Sequence, residues 1–174
     1  MLDVGGGTGA FSYVFAQEGL DCTVLELPEV AATGRAFAGG GAPPDVADRV
    51  AFLDLDVTAP RWPVDDAAFD VVLMSYISGS VPEPVLVDVY SRAKAALKPG
   101  GALVVHDFMV DDDLRGPPHA ALWALQHVTV NADGLGLSPA GVRSRLEAAG
   151  FTAVDAHRDM IRGMTKVLVA HKEE

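Results

Sequence analysis

The chain has 174 residues, of which 49% are hydrophobic and 21% are charged, and its formal net charge is −11. This length and composition predict a single globular domain spanning residues 1–174. The acidic balance argues against nucleic acid and anionic membranes as partners, because binding to phosphates requires a basic face.

Features that the sequence lacks narrow the class of protein further. There is one cysteine, Cys22, so no disulfide can form within the chain. No apolar run approaches the roughly 18 residues of a membrane span, and the N-terminus lacks the pattern of a signal peptide. No spacing of His, Cys, Asp and Glu suggests a zinc site. We therefore expect a cytoplasmic protein that binds no metal and acts on a small molecule.

Apolar runs of strand length alternate with segments of helical period along the chain. The first strand ends at Val4, and the elements then follow in order: helix 9–18, strand 22–27, helix 29–38, strands 49–55 and 70–77, helix 84–97, strand 102–108, helices 118–130 and 139–150, and strands 152–157 and 164–171. Such alternation predicts an α/β fold, in which a parallel sheet has helices on both faces. The last two strands are too close in sequence for a crossover helix, so we expect them to pair antiparallel.

A glycine-rich turn follows the first strand, in the stretch "LDVGGGTG". Such a turn brings backbone N–H groups and a helix N-terminus close to a nucleotide-like ligand. Gly5, Gly7 and Ala10 fit the dinucleotide fingerprint, which implies NAD or FAD. Gly5, Gly7 and Gly9, with Asp3 upstream, also fit the looser pattern D-x-G-x-G-x-G, which implies S-adenosylmethionine. The turn alone leaves both ligands open.

Polar residues follow the ends of the first four strands, at the edge where open parallel sheets bind ligands. Glu26 lies about twenty residues beyond the glycines, where a carboxylate accepts ribose hydroxyls of either ligand. Asp3 would repel a pyrophosphate, whereas it can face an ammonium or a sulfonium. Asp56 can accept a hydrogen bond from an adenine amino group, and the fourth strand adds Ser75 and Tyr76. Together these residues favour S-adenosylmethionine over NAD.

Six stretches occur in the order seen in the small-molecule O-methyltransferases: "LDVGGGTG", "LELPEV", "RVAFLDLDV", "FDVVLMSY", "ALKPGGALVVHDF" and "LEAAGF". Over essentially its whole length the chain resembles this family, which includes plant phenolic, acetylserotonin and bacterial polyketide O-methyltransferases. The resemblance implies a Rossmann-like class I methyltransferase fold, with a mostly parallel seven-stranded sheet that ends in an antiparallel hairpin.

The same resemblance implies S-adenosylmethionine as the cofactor. In the family pattern Glu26 holds the ribose, Asp56 and Val57 frame the adenine, and Ser75 lies near the methionine end. The full set of expected cofactor residues is Asp3, Gly5, Gly7, Glu26, Leu27, Asp56, Val57 and Ser75.

The chain departs from the family in the acid–base half of the site. Family members usually have His-Asp-Trp after the fourth strand, and that His is the general base. The matching residues here are Gly79-Ser80-Val81. Asp107 matches the acidic residue that supports the family His, whereas a second supporting Glu aligns with Gly136. The half of the site that holds the methyl donor is thus complete, and the base is missing.

A second departure concerns the N-terminus. The family has a helical dimerisation domain before the glycine turn, whereas this chain begins at Met1 in the central strand. We expect an N-terminally truncated methyltransferase domain with an incomplete first strand. The full-length form is expected to be a homodimer and this chain a monomer.

We predict that His127 replaces the missing base. His119, Trp123 and His127 are spaced i, i+4, i+8 on one predicted helix face, and the resemblance places that helix against the substrate. Asp107 is the second expected catalytic residue, and His127 is oriented either with or without it. Tyr76 and Trp123 are the expected substrate contacts. His106 is the alternative base.

The function expected from the sequence is methyl transfer from S-adenosylmethionine to a hydroxyl of a small aromatic or natural-product acceptor. One rival is a protein of the same fold that has lost methyl transfer and is inactive or performs hydroxylation or decarboxylation. Two others are an NAD-dependent oxidoreductase and a non-catalytic binding module.

Overall fold

A computed structural model describes residues 1–129 and 136–174. Its strands are β1 (Leu2–Val4), β2 (Cys22–Glu26), β3 (Val50–Asp54), β4 (Phe69–Ser75), β5 (Leu97–Phe108), β6 (Ala153–Val154), β7 (Arg158–Met160) and β8 (Thr165–His171). Within these residues they form one eight-stranded sheet in the order β3-β2-β1-β4-β5-β8-β6, with β7 also beside β8. β1 to β5 run parallel, and β8 is antiparallel to all its neighbours. The mostly parallel sheet with an antiparallel C-terminal part is as predicted, but it has eight strands where seven were expected.

The strand order reverses at β1, which has β2 on one side and β4 on the other. All three residues of β1 are buried; all three pair with β2, and Leu2 and Asp3 also pair with β4. In open α/β sheets such a reversal opens a crevice at the carboxyl ends of the strands, where ligands bind. The candidate site is therefore expected where β1 and β4 end.

The helices of the described residues are α1 (Ala10–Gln17), α2 (Pro28–Gly41), α3 (Pro44–Ala47), α4 (Glu83–Ala96), α5 (Pro118–Leu125) and α6 (Pro139–Ala148), with 3₁₀ turns at Ser78–Ser80 and Ile161–Gly163. Each helix from α2 to α6 has a proline in its first turn, where a missing N–H costs no hydrogen bond. The main core includes the apolar faces of α4 and α6, and a smaller cluster joins α1 to α3.

The C-terminal hairpin has one strand more than the sequence predicts, because the expected strand 152–157 is replaced by β6 and β7. Val154 pairs with Ala170, and Arg158 pairs with Val167. The chain therefore advances four residues from Val154 to Arg158 while β8 advances three residues between their partners. Such a mismatch is a β-bulge, which interrupts the ladder and divides the strand.

Helix α5 also differs from the prediction of a helix over 118–130. It ends at Leu125, and the next N–H groups bond three residues back, as in the bond from His127 N–H to the Ala124 carbonyl at 3.0 Å. This tighter winding is common where a helix ends without a glycine cap. The predicted end at Val130 lies outside the described residues. His127 is thus in the turn after α5 rather than on the helix.

No helix in the described residues is both long enough and apolar enough to cross a membrane. Within residues 1–129 and 136–174, no group of three His, Cys, Asp or Glu side chains is arranged to hold a metal ion. Cys22 is buried in β2.

Candidate active site

The glycine turn lies at the end of β1, as the sequence predicts. Gly5 and Gly7 have φ values of +67° and +61°, a left-handed backbone that favours glycine. A Cβ at Gly5 would be 2.5 Å from the Ile77 side chain, whereas a Cβ at Gly7 would meet nothing within 4 Å. The turn is therefore packed against the segment after β4 on one side and is open at Gly7 on the other.

Asp3 lies under this turn rather than facing the open side. Its side chain is fully buried, and its Oδ2 accepts a hydrogen bond from Ser12 Oγ at 2.8 Å. A Cβ at Gly6 would be 2.6 Å from the Asp3 carboxyl group, so the turn rests directly on it. Burial raises the pKa of Asp3 to about 6, opposed by the Ser12 hydrogen bond and reinforced by the charge of Glu26. This position differs from the expected contact with a ligand and makes Asp3 a support of the turn.

Glu26, at the end of β2, joins two elements of the expected cofactor site. Its Oε2 accepts a hydrogen bond from the Gly7 N–H at 2.8 Å, and its Oε1 accepts one from the Leu27 N–H at 2.7 Å. Each carboxylate oxygen retains further acceptor capacity. Because Gly7 faces open space, a diol bound there would lie beside this carboxylate.

Of the residues after β3, Asp56 is exposed in the cleft at the carboxyl ends of the strands, whereas Val57 is buried in the core. Asp56 Oδ1 accepts hydrogen bonds from the Thr58 N–H at 2.8 Å and from Thr58 Oγ1 at 2.7 Å, and these bonds lower the pKa of Asp56. The Val57 side chain is buried in the main core, and its carbonyl accepts a hydrogen bond from Trp62 Nε1 at 3.0 Å. Asp56 is therefore available as an ionised acceptor, whereas the Val57 side chain is not in the cleft.

The ends of β4 and β5 are joined by side chains as well as by the ladder. Ser75 Oγ lies 2.9 Å from His106 Nδ1, and the rings of Tyr76 and His106 are 4.6 Å apart. His106 Nε2 is buried and has no partner among the described residues, and burial lowers the pKa of His106. Tyr76 has a φ of 58°, which is strained for a residue with a side chain.

Four rings, Tyr76, His106, Phe108 and Trp123, form what we call the aromatic row. Phe108 stacks on Trp123 with ring centroids 4.4 Å apart, and Tyr76 lies 5.3 Å from Phe108 and 6.3 Å from Trp123. The row leads from Ser75 to α5, so it joins the cofactor side of the site to the helix expected to face the substrate. The two predicted substrate contacts, Tyr76 and Trp123, are both members of it.

A cavity of about 230 Å³ lies at the far end of the aromatic row. Its walls include Gly79, Asp107, Phe108, Trp123, His127 and Arg145. The Arg145 guanidinium is paired with the Glu83 carboxylate, and both residues line the cavity. The sequence analysis did not identify this ion pair, which joins α4 to α6.

Asp107 is the buried carboxyl group of the cavity. Its Oδ1 accepts a hydrogen bond from the Phe108 N–H at 2.8 Å, and its Oδ2 accepts one from the Gly79 N–H at 3.4 Å. Burial raises the pKa of Asp107 to about 6, against the lowering effect of hydrogen bonds from the Gly79, Phe108 and Ser78 backbone. Asp107 therefore holds the Ser78–Ser80 turn in place.

His127 lies against the same turn. Its Nε2 is 3.0 Å from Ser80 Oγ, and a Cβ at Gly79 would be 3.4 Å from its Nδ1. A side chain at position 79 would therefore begin in contact with the imidazole. Burial lowers the pKa of His127, which keeps the ring neutral at pH 7. His119, which shares the predicted helix face, is exposed.

The structure thus brings His127 and Asp107, the two expected catalytic residues, to the walls of one cavity and separates them by the Ser78–Ser80 turn. Sequence reasoning missed Ser80 as the partner of His127. The signal was present, since Gly79-Ser80 was noted as the place of the absent His-Asp. The Gly79-Ser80 pair was interpreted as the loss of the family base and not as space for the ring of His127.

A family model described as a methyltransferase domain matches residues 1–156. Among curated relatives, acetylserotonin O-methyltransferase of Mus musculus is 30% identical over 161 residues, covering 91% of this chain and 40% of that protein. The 3-hydroxy-5-methyl-1-naphthoate 3-O-methyltransferase of Streptomyces sahachiroi is 29% identical over 175 residues, covering 99% of this chain and 48% of that protein.

Solved structures are similar over the whole chain. The apo form of the S-adenosylmethionine-dependent methyltransferase SibL has a TM-score of 0.80 at 26% identity, over 99% of this chain and 50% of that one. Human N-acetylserotonin methyltransferase in complex with SAM has a TM-score of 0.79 at 23% identity, over 100% of this chain and 47% of that one. The chain spans about half the length, or less, of these relatives.

Proposed function

Because the chain belongs to the methyltransferase-domain family, we propose that it binds S-adenosylmethionine and methylates a hydroxyl of a small aromatic or natural-product acceptor. The observation that carries this proposal is the path of the aromatic row from the Ser75 end of the cleft to the cavity. The end of the row beside the cofactor residues offers hydrogen-bond acceptors for a nucleoside. The end at the cavity offers the neutral imidazole of His127. The chemistry of both relatives named above, O-methylation, supports the same reaction class.

The residues of the cleft fit the cofactor. Glu26 offers acceptor oxygens to the ribose hydroxyls beside the open face of Gly7. Asp56, kept ionised by Thr58, suits the adenine amino group, and the buried, unpartnered His106 Nε2 offers a polar contact near Ser75. When bound, S-adenosylmethionine supplies the methyl group and leaves as S-adenosylhomocysteine.

The cavity residues would orient the acceptor and remove its proton. Phe108 and Trp123 present flat apolar faces on which an aromatic ring can stack. His127 takes the hydroxyl proton, because its lowered pKa leaves the imidazole neutral. Such general-base assistance contributes roughly 10²–10⁴-fold, and alignment of the acceptor in a dry cavity contributes further.

Asp107 has a supporting role in this proposal. Among the described residues no hydrogen bond joins it to His127, and its oxygens instead accept backbone N–H groups of the Ser78–Ser80 turn. Its negative charge in the same cavity would stabilise the imidazolium once the proton has moved.

Calorimetry with S-adenosylhomocysteine and with NAD tests the cofactor half of the proposal. We expect saturable binding of S-adenosylhomocysteine and none of NAD, since a methyltransferase-domain model matches residues 1–156 and the two curated relatives named above are O-methyltransferases. Binding of NAD alone would favour the oxidoreductase. Tight binding of S-adenosylhomocysteine without methyl transfer to any of a panel of phenols would favour the rival that has lost the reaction.

The cytoplasmic location, the small-molecule partner and the homodimer of the full-length protein, all expected from the sequence, also belong to this proposal. Light scattering of the full-length protein tests the dimer. A single species at the monomer mass would contradict it.

A further inference from the structure

We infer that Gly79 and Ser80 position the His127 ring for proton transfer. Gly79 leaves the Nδ1 edge uncovered, and the hydrogen bond with Ser80 at Nε2 makes Nδ1 the atom that accepts the proton. This inference rests on the proposed function, because it names the basic atom of that site. According to this inference Ser80 is a positioning residue, and the lack of a side chain at position 79 has a functional role.

The space at Gly79 is the first observation. Its backbone does not lie in the left-handed region, so the conformation alone does not demand glycine. A Cβ there would be 3.4 Å from His127 Nδ1 and 3.5 Å from Cε1, which is ordinary van der Waals contact. An alanine would therefore fit, but its methyl group would cover the Nδ1 edge. The absence of a side chain leaves this edge uncovered by position 79, and both residues line the cavity.

The hydrogen bond at Ser80 is the second observation. A neutral imidazole carries one N–H, and the nitrogen that bears it is assigned here from the hydrogen-bond network. Ser80 Oγ lies 3.0 Å from Nε2, whereas none of residues 1–129 and 136–174 forms a hydrogen bond with Nδ1. An N–H without an acceptor is the costlier arrangement. The hydrogen therefore belongs on Nε2, donated to Ser80 Oγ, and the lone pair on Nδ1.

The proton transfer follows from this tautomer. The acceptor O–H bond breaks and an N–H bond forms at Nδ1, while Nε2–H stays donated to Ser80. The resulting imidazolium lies across Gly79 from Asp107, whose Oδ2 accepts the Gly79 N–H. After the methylated product leaves, the Nδ1 proton passes to water that enters the cavity, which restores the starting tautomer.

The test is a long-range ¹H–¹⁵N NMR spectrum of the histidines, recorded on the protein without cofactor at a pH where His127 is neutral. His127→Gln identifies the signals of His127. We expect the Nε2–H tautomer in the parent protein and a shift toward a mixture in Ser80→Ala. Ser91→Ala is the matched control, because the Ser91 hydroxyl bonds to its own helix, at the Val87 carbonyl. An Nδ1–H tautomer, or a Ser80→Ala spectrum identical to that of the parent, would overturn the inference.

Turnover provides the second measurement. Ser80→Ala should lower kcat about 10-fold, less than the roughly 10²-fold of the base itself, and Ser80→Thr should restore it. Gly79→Ala should lower kcat by more than Ser80→Ala, because its methyl group covers Nδ1, while the tautomer and the affinity for S-adenosylhomocysteine stay unchanged. Gly41→Ala, whose Cβ would meet nothing within 4 Å, is the control for adding a methyl group. Full kcat in Gly79→Ala would overturn the role of Gly79.

The two failures are distinguishable. If the parent shows the expected tautomer but methylates no acceptor, the proposed function fails and the seating of His127 stands. If it methylates but shows Nδ1–H, the inference fails and the proposed function stands.

Discussion

The glycine turn and the cavity are the two halves of the proposed site, and the chain builds them in different ways. The turn is made from neighbours in sequence and is hydrogen-bonded to the end of β2, as from Gly7 to Glu26, although Gly5 also packs against Ile77. The cavity is assembled from distant segments, as in the contact between Ser80 and His127, 47 residues apart. The first half can therefore be recognised from a short motif, whereas the second depends on how helices pack against the end of the sheet.

This difference predicts that substitutions can impair cofactor binding and turnover independently of each other. A change in the cavity should affect turnover and leave cofactor affinity intact, and a change at the turn should do the reverse. The following predictions test that separation, in order of expected effect.

The largest effect is expected for His127→Ala. Loss of the base should lower kcat by about 10²-fold or more, with the affinity for S-adenosylhomocysteine unchanged. His119→Ala, an exposed histidine on the same segment, is the control and should retain full activity. Equal losses in the two variants would remove His127 from the mechanism.

The pH–rate profile sharpens this prediction. His127 acts as a base only when neutral, and burial lowers its pKa below the usual 6.5. Activity should therefore rise with pH through a value below 6.5, and this limb should be absent in His127→Ala. A limb that persists in the variant would instead report Asp107, whose pKa is about 6.

Glu26→Ala should weaken binding of S-adenosylhomocysteine by roughly 1.5–3 kcal/mol, the range for hydrogen bonds to a charged group. The loss includes the anchor of the Gly7 N–H as well as the ribose contact. Calorimetry measures the affinity, and circular dichroism checks the fold. Unchanged affinity in a folded variant would show that the ribose does not bind at Glu26.

Asp107→Asn should change how stability depends on pH. The folded-state pKa of Asp107 is raised from 3.8 to about 6, so the folded protein binds more protons between those values. The stabilisation from this group is present below about pH 4 and is lost as the pH rises through 6. Between pH 4.5 and 7.5 the parent should lose about 2 kcal/mol more than the variant. Urea unfolding at both pH values measures this, with the exposed Asp113→Asn as control.

The smallest effect is expected when the base is moved. In Gly79→His/His127→Ala the ring should re-enter the cavity from the Ser78–Ser80 turn and recover about 10-fold of the turnover lost in His127→Ala. Gly79→His alone should be less active than the parent, because the new side chain begins 3.4 Å from His127 Nδ1. Higher activity in that single variant would show that positions 79 and 127 do not compete for one space.

The sequence was sufficient for the half of the site that is local. The D-x-G-x-G-x-G pattern and the position of Glu26 predicted the turn, its helix and the carboxylate beside it. The position of Asp3 under the turn could not be predicted, because a pattern shows that a carboxylate is near a turn and not on which side of it. Burial under Gly6 decides that, and it depends on packing.

The cavity was predicted only in outline. Helical spacing indicated that Trp123 and His127 share a face, and the structure brings both to the cavity. It did not indicate the early end of α5 or the hydrogen bond to Ser80, since both arise from contacts between distant segments. The bulge in the C-terminal hairpin was missed for a related reason, because alternation along one strand does not report the register of its partner.

The hydrogen bond from Gly7 to Glu26 affects both the rate at which a ligand binds and the entropy that is lost on binding. It fixes the turn against the end of β2 through protein groups alone, so the backbone is preorganised and little ordering entropy remains to be lost on binding. Capture should then approach the rate of a rigid docking event, and differences in affinity among nucleoside ligands should arise in their rates of release.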